Sequence, residues 1–87
     1  MPRALSIQRT VVPADDRFGF LEQARRREAH FQGAGCQYWV FEDAQASGEF
    51  IEFAEARDAA TLAAAHADLV RVGGVPSPIY VQVQWPA

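Results

Sequence analysis

Histidine is the side chain best suited to moving protons near neutral pH, and the chain has two, His30 and His66. His66 falls one turn after Leu62 and one turn before Val70, on the face of a predicted helix that turns toward a sheet. There a neutral imidazole can serve as a general base or orient a bound ligand. It can equally close the edge of a core by hydrogen bonding to a strand residue such as Glu55. His30 lies beside an exposed arginine run and reads as structural. Glu42 and Glu52 form a second pair of interest, because carboxylates drawn into an enclosed space are pushed toward acid/base work by desolvation and mutual repulsion. They also fit a rim role, meeting Arg9 or Arg57. Tyr80, Tyr38, Gln8 and Gln82 would offer hydroxyl and amide groups to a ligand, or hydrogen bond to their own mates across a dyad.

Other chemistries find little support. Two histidines far apart, with Cys36 as the only cysteine, give no metal-ligand spacing and no internal disulfide. Gly33-Ala34-Gly35 and Gly73-Gly74 follow helices, whereas a phosphate-binding loop precedes one. Ser6, Ser47 and Ser77 sit in no nucleophile elbow. We expect no cofactor. A net charge of -3 argues against nucleic acid, which requires a concentrated basic surface, and Arg25-Arg26-Arg27 between Glu22 and Glu28 reads as a solvated helix face. No apolar run approaches the roughly 20 residues of a membrane span. Met1 to Val12 lacks a secretory apolar core, so the protein is expected to be cytoplasmic.

The elements that must position these groups follow from periodicity. Ala4 to Val12 alternates, with Leu5, Ile7 and Val11 on one face, and Pro13 ends the strand. Asp15 or Asp16 can cap a helix running from about Arg17 to Gln32, with Phe20, Leu21, Ala24 and Phe31 inward. Gly33 and Gly35 stop it. Cys36 to Asp43 and Glu49 to Ala56 read as a hairpin, and Asp58 caps a second helix from Ala59 to about Val72. Leu62, Ala65, His66 and Leu69 form the inward stripe of that helix. Gly73-Gly74 and Pro76 end it, and Ile79 to Trp85 alternates as a last strand.

The order is βαββαβ, an α+β ferredoxin-like arrangement with a four-stranded antiparallel sheet and both helices on one face. With 87 residues in a single domain spanning 1–87, the core is small and a partner subunit would help it. The apolar sets Leu5, Ile7, Trp39, Phe41, Ile51, Phe53, Val81 and Val83 are expected beneath the helices, if the hairpin pairs Asp43 with Glu49. The other face would carry Ser6, Gln8, Thr10, Tyr38, Val40, Glu42, Phe50, Glu52, Tyr80, Gln82 and Gln84. Left bare in a monomer, it predicts a homodimer formed through the open sheet faces, with a partly polar lumen between them.

The stretch GCQYWVFED, the F-x-x-x-x-E of Phe50 to Glu55, and a capped helix carrying His66 eleven residues after that glutamate resemble the antibiotic biosynthesis monooxygenase-like family of dimeric α+β barrels. The motif match covers about a third of the chain. It departs from the family at Arg57, where the tryptophan of a Glu-x-Trp would fall. The family includes cofactor-independent oxygenases of polycyclic phenols and haem-degrading oxygenases. The latter branch uses a first-strand asparagine, and this chain contains no Asn. The resemblance implies a homodimer that binds a small apolar or aromatic molecule in its barrel. If catalytic, it would perform cofactor-independent oxygenation with His66 as base and Tyr80 and Gln82 positioning the ligand. The alternative is a non-catalytic dimer whose interface is fully packed. A cavity of roughly 300 Å³ or more would favour a binding site.

Overall fold

The computed structural model describes residues 2–71 and 77–86. Strand β1 (Ala4–Val11) leads through a short 3-10 turn to helix α1 (Arg17–Gly33), then strands β2 (Gln37–Glu42) and β3 (Glu49–Ala56), helix α2 (Ala59–Arg71) and strand β4 (Ile79–Val81). The expected βαββαβ order is therefore present. The sheet runs β2-β3-β1-β4, with every neighbouring pair antiparallel. This is the ferredoxin-like arrangement, with α1 packed on β2 and α2 on β1, β3 and β4.

Local chemistry explains the boundaries. Asp58 Oδ1 accepts the Thr61 backbone N–H at 2.7 Å, which caps α2. The other expected cap is replaced: Asp16 occupies the N-cap position of α1 without a side-chain cap bond, and the 3-10 turn Ala14–Asp16 leads the chain in. Gly35 has φ +82° and reverses the chain after α1. Gly48 has φ +89°, and a Cβ there would stand 2.5 Å from the Val12 carbonyl oxygen. That approach allows Val12 N–H to donate to Gly48 O at 2.7 Å, tying the hairpin end to the end of β1. The proposed stops at Gly73, Gly74 and Pro76 lie outside the described residues. The last strand is shorter than expected. After Val81 one further bond, Gln82 N–H to Arg3 O at 2.8 Å, extends the pairing.

The hairpin has the register on which the face assignment was conditioned, with Glu42 opposite Phe50 and Asp43 N–H donating to Glu49 O at 2.8 Å. The face given to the helices is the reverse of expectation for β1, β2 and β3. Ala4, Ser6, Tyr38, Phe50, Glu52, Ala54 and Ala56 are the buried residues, and they lie beneath the helices. Leu5, Ile7, Trp39, Phe41, Ile51 and Phe53 are on the uncovered side. Phe41 remains 53% exposed and meets Phe53 edge-on at 5.7 Å.

The reason is steric fit rather than total hydrophobicity. Ala4 stands opposite Ala56 and Ser6 opposite Ala54, giving a smooth patch across the two central strands. The alanine-rich α2 settles on it with Leu62 fully buried and Ala65 nearly so. Polar groups on this face find partners on the helices, so their burial is compensated. In α1, Ala24 and Phe31 are buried as expected, whereas Leu21 is exposed.

Candidate functional site

Between the sheet and the two helices lies a cleft of about 660 Å³. β1 contributes Ser6, Gln8 and Thr10 to its walls; β2 and β3 contribute Tyr38 and Glu52; α1 contributes Phe20, Arg27 and Phe31; and α2 contributes His66. Period-two alternation places Ser6 with Gln8 on one side of β1, and antiparallel pairing aligns Gln8 with Glu52. Helical spacing brings Phe20, Arg27 and Phe31 to the facing wall.

Two polar constellations occupy the cleft. In the first, Glu52 Oε1 accepts the Arg27 Nε–H at 2.7 Å and the Tyr38 hydroxyl, while Arg27 Nε also approaches the Tyr38 oxygen at 3.4 Å. Burial, reinforced by the bond to Glu52, pushes the Tyr38 phenol well above its ordinary pKa, so it stays protonated. Burial works against charge on Arg27, but Tyr38 and Glu52 more than offset it and raise its pKa. The Arg27 guanidinium also lies 5.6 Å from the Phe20 ring centre.

In the second, Ser6 Oγ lies 2.7 Å from His66 Nε2, joining the sheet to α2. Phe31 stacks on Tyr38 with ring centres 5.5 Å apart and meets His66 edge-on at 5.1 Å, so one aromatic ring packs against both constellations. Desolvation, and then the neighbouring His30, lower the pKa of His66. The imidazole is therefore neutral near pH 7. His30 itself donates Nε2–H to Ala65 O at 2.8 Å, a structural tie between the helices.

Of the residues singled out from the sequence, His66, Gln8, Tyr38 and Glu52 come together in this cleft. The sheet separates them from Tyr80, which stands opposite Leu5 on the uncovered face and is 56% exposed. Gln82 lies beyond the end of β4 and is exposed. Glu42 is on the helix side but at the hairpin end, outside the cleft. It takes two hydrogen bonds from Arg17, at 2.6 and 2.9 Å, and one from Gly48 N–H at 2.9 Å. The Arg17 bonds first, then the Gly48 amide, bring its pKa down to about 2.

The expected lumen between two sheets is thus not where these groups converge. Placing the helices on the polar face puts the cavity inside the protomer. The partner suggested for His66, Glu55, instead pairs with Arg3, and Ser6 takes its place. Ser6, Arg27 and Phe31 also line the cleft and are not among the site residues to which the sequence points. Ser6 and Ala54, small residues interrupting otherwise bulky strands opposite an alanine-rich helix, were the signal in the chain that could have located the covered face. Among the described residues, no group of three or more His, Cys, Asp or Glu side chains could hold a metal ion. Nor, among them, is any helix long and apolar enough to cross a membrane.

No family model matches the sequence, and no relative was found among curated proteins. Solved structures do share the fold. A candidate antibiotic biosynthesis monooxygenase from Nitrosomonas europaea superposes with a TM-score of 0.72 at 16% identity, covering 93% of this chain and 90% of that one. SnoaB, a cofactor-independent oxygenase from Streptomyces nogalater, in its N63A form, gives 0.63 at 16% identity over 100% and 97% of the two chains. Rv0793 from Mycobacterium tuberculosis gives 0.61 at 18% identity over 100% and 98%. At these identities the likeness establishes the fold, and it is the fold that the resemblance of Gly35–His66 implied.

Proposed function

We propose that the protein is a cofactor-independent oxygenase of a small phenolic aromatic compound, bound in the cleft between sheet and helices. The observation that carries this reading is the convergence of a neutral His66, the Gln8 amide and the Phe20 and Phe31 rings in one cavity of about 660 Å³. That volume lies within the range of small-molecule sites, and its lining combines apolar walls with a few polar groups. The fold shared with SnoaB, named as a cofactor-independent oxygenase, adds support.

Without a cofactor, the electrons that reduce dioxygen come from the substrate, and a phenolate yields them far more readily than a phenol. The protein's work is then to take the phenolic proton, hold the anion and exclude water. A ring methylene activated by that phenolate is oxidised to a carbonyl. One atom of dioxygen enters as the carbonyl oxygen, and the other leaves with the two methylene hydrogens as water. His66 is the ultimate proton acceptor, and general-base assistance of this kind is worth roughly 10²–10⁴ in rate.

We also propose that two copies associate through the uncovered sheet face. Trp39 and Phe41 leave 39% and 53% of their surfaces exposed there. Together with Ile7, Ile51 and Phe53 they form the continuous apolar patch expected of an interface.

The test is oxygen consumption with a panel of polycyclic phenols that carry a ring methylene, comparing wild type with His66→Ala. Turnover that falls at least tenfold in the variant supports the assignment. Equal turnover in both removes His66 from the mechanism, and no turnover of any panel member by the wild type removes the oxygenase reading.

A further inference from the structure

We propose that Ser6 relays the substrate's proton to His66, so that the buried serine hydroxyl, rather than the imidazole, is the group that meets the phenol. The proposal rests on the cleft being a phenol site, as argued above, and identifies which atom receives the proton.

His66 projects from α2 toward the sheet, and its Nε2 is already engaged by Ser6 Oγ at 2.7 Å. Its other ring nitrogen, Nδ1, is adjacent to the carbon bearing the side-chain link to α2. A substrate seeking the imidazole directly would have to displace Ser6 from Nε2. Ser6 lines the cleft, although the residue is only 3% exposed.

The relay requires one direction of the Ser6–His66 bond. A buried hydroxyl left without an acceptor costs about 1–3 kcal/mol. Among the described residues, the hydrogen bond of the Ser6 hydroxyl is to His66 Nε2. Donation from Ser6 O–H into the Nε2 lone pair satisfies the hydroxyl, whereas donation from Nε2–H would strand the serine proton. In the relay His66 carries its single proton on Nδ1 and presents a basic Nε2 to Ser6. The Phe31 edge contact at 5.1 Å holds the ring in this orientation.

Glu52, the carboxylate of the cleft, is already paired with the Arg27 cation and accepts from Tyr38, which leaves the dyad as the acceptor not held by a cation. On α1, His30 is committed to the Ala65 carbonyl, and Arg27 to Glu52. On the sheet, Tyr38 donates to Glu52. In the proposed step, the phenol O–H bond breaks as a new O–H bond forms on Ser6 Oγ. The original Ser6 O–H bond breaks as Nε2–H forms. The products are a phenolate, a neutral serine and an imidazolium protonated on both nitrogens.

Two measurements test the relay. The first is ¹⁵N NMR of the histidine-labelled, substrate-free protein near neutral pH. We expect a protonated, pyrrole-type Nδ1 and an unprotonated, pyridine-type Nε2 for His66; the opposite tautomer overturns the proposal whether or not a substrate is known. The second compares Ser6→Ala and Ser6→Thr using the best phenol from the panel, with folding of each checked by circular dichroism. Removing the hydroxyl should lower kcat by about 10²-fold or more with KM changed less than about threefold, while threonine restores most of kcat. Wild-type kcat in Ser6→Ala, alongside a loss in His66→Ala, would overturn the relay and leave the base assignment standing.

Discussion

Arg27 on α1 and Glu52 on β3 meet at 2.7 Å inside the cleft, and Tyr38 donates to the same carboxylate oxygen. The glutamate is 7% exposed, the arginine side chain 26%. A carboxylate so placed depends on its donors, because removing one partner leaves a largely desolvated charge. Arg27→Ala is expected to destabilise the fold by about 2 kcal/mol, less than for a fully buried pair because the arginine retains solvent contact. Urea unfolding checks this, with the exposed Arg25→Ala as control. A loss for Arg27→Ala no larger than the control would show that the bond contributes nothing net.

Acid should weaken the protein in two stages. The folded-state pKa of His66 lies below its ordinary 6.5, first through burial and then through His30. The unfolded chain thus binds a proton before the native state does. The stability associated with His66 is present above pH 6.5 and is lost as pH falls through its lowered folded value. Glu42 behaves likewise at lower pH: its stabilisation is present above its ordinary 4.5 and disappears as pH falls toward about 2. Melting temperature followed against pH should show the first decline in wild type and not in His66→Gln. An identical decline in both would assign it to other groups.

At Gly48 the prediction is steric. A Cβ would sit 2.5 Å from the Val12 carbonyl oxygen, on a backbone with φ +89°. Gly48→Ala must strain the hairpin end or break the 2.7 Å bond from Val12 N–H. A loss of about 1–3 kcal/mol is expected by denaturant unfolding. By contrast, Gly19→Ala meets nothing within 4 Å in the middle of a helical turn and should be neutral or stabilising. Equal stability for both variants would contradict the close approach.

The proposed dimer can be tested through Phe41. Sedimentation at micromolar concentration should find wild type as a dimer. Phe41→Glu places a charge in the apolar face and should shift the protein to monomer with the helix content unchanged, since the residue lies outside the core. A wild-type monomer, or a variant as dimeric as wild type, would direct attention away from this face.

Alternation, helix periodicity and turn residues were sufficient to read the element order and the inward stripe of α2, whereas the hairpin register entered only as a condition. Each depends on neighbours in the chain. Gln8, Tyr38 and Glu52 were likewise legible as chemistry-bearing residues of one sheet face, with His66 expected on the other side of the sheet. Which face of the sheet the helices would cover was not legible from apolar count. Leu5, Ile7, Trp39 and Phe41 look like the better core, yet the covered face is the one with the Ala4–Ala56 and Ser6–Ala54 pairs. Only tertiary packing could decide this. It weighs how closely α2 can approach small residues, and whether Arg27 and His66 can satisfy Glu52, Tyr38 and Ser6 once water is excluded. That choice moved the candidate site from a lumen between subunits to a cleft within one, separated Tyr80 and Gln82 from it, and gave His66 its serine partner.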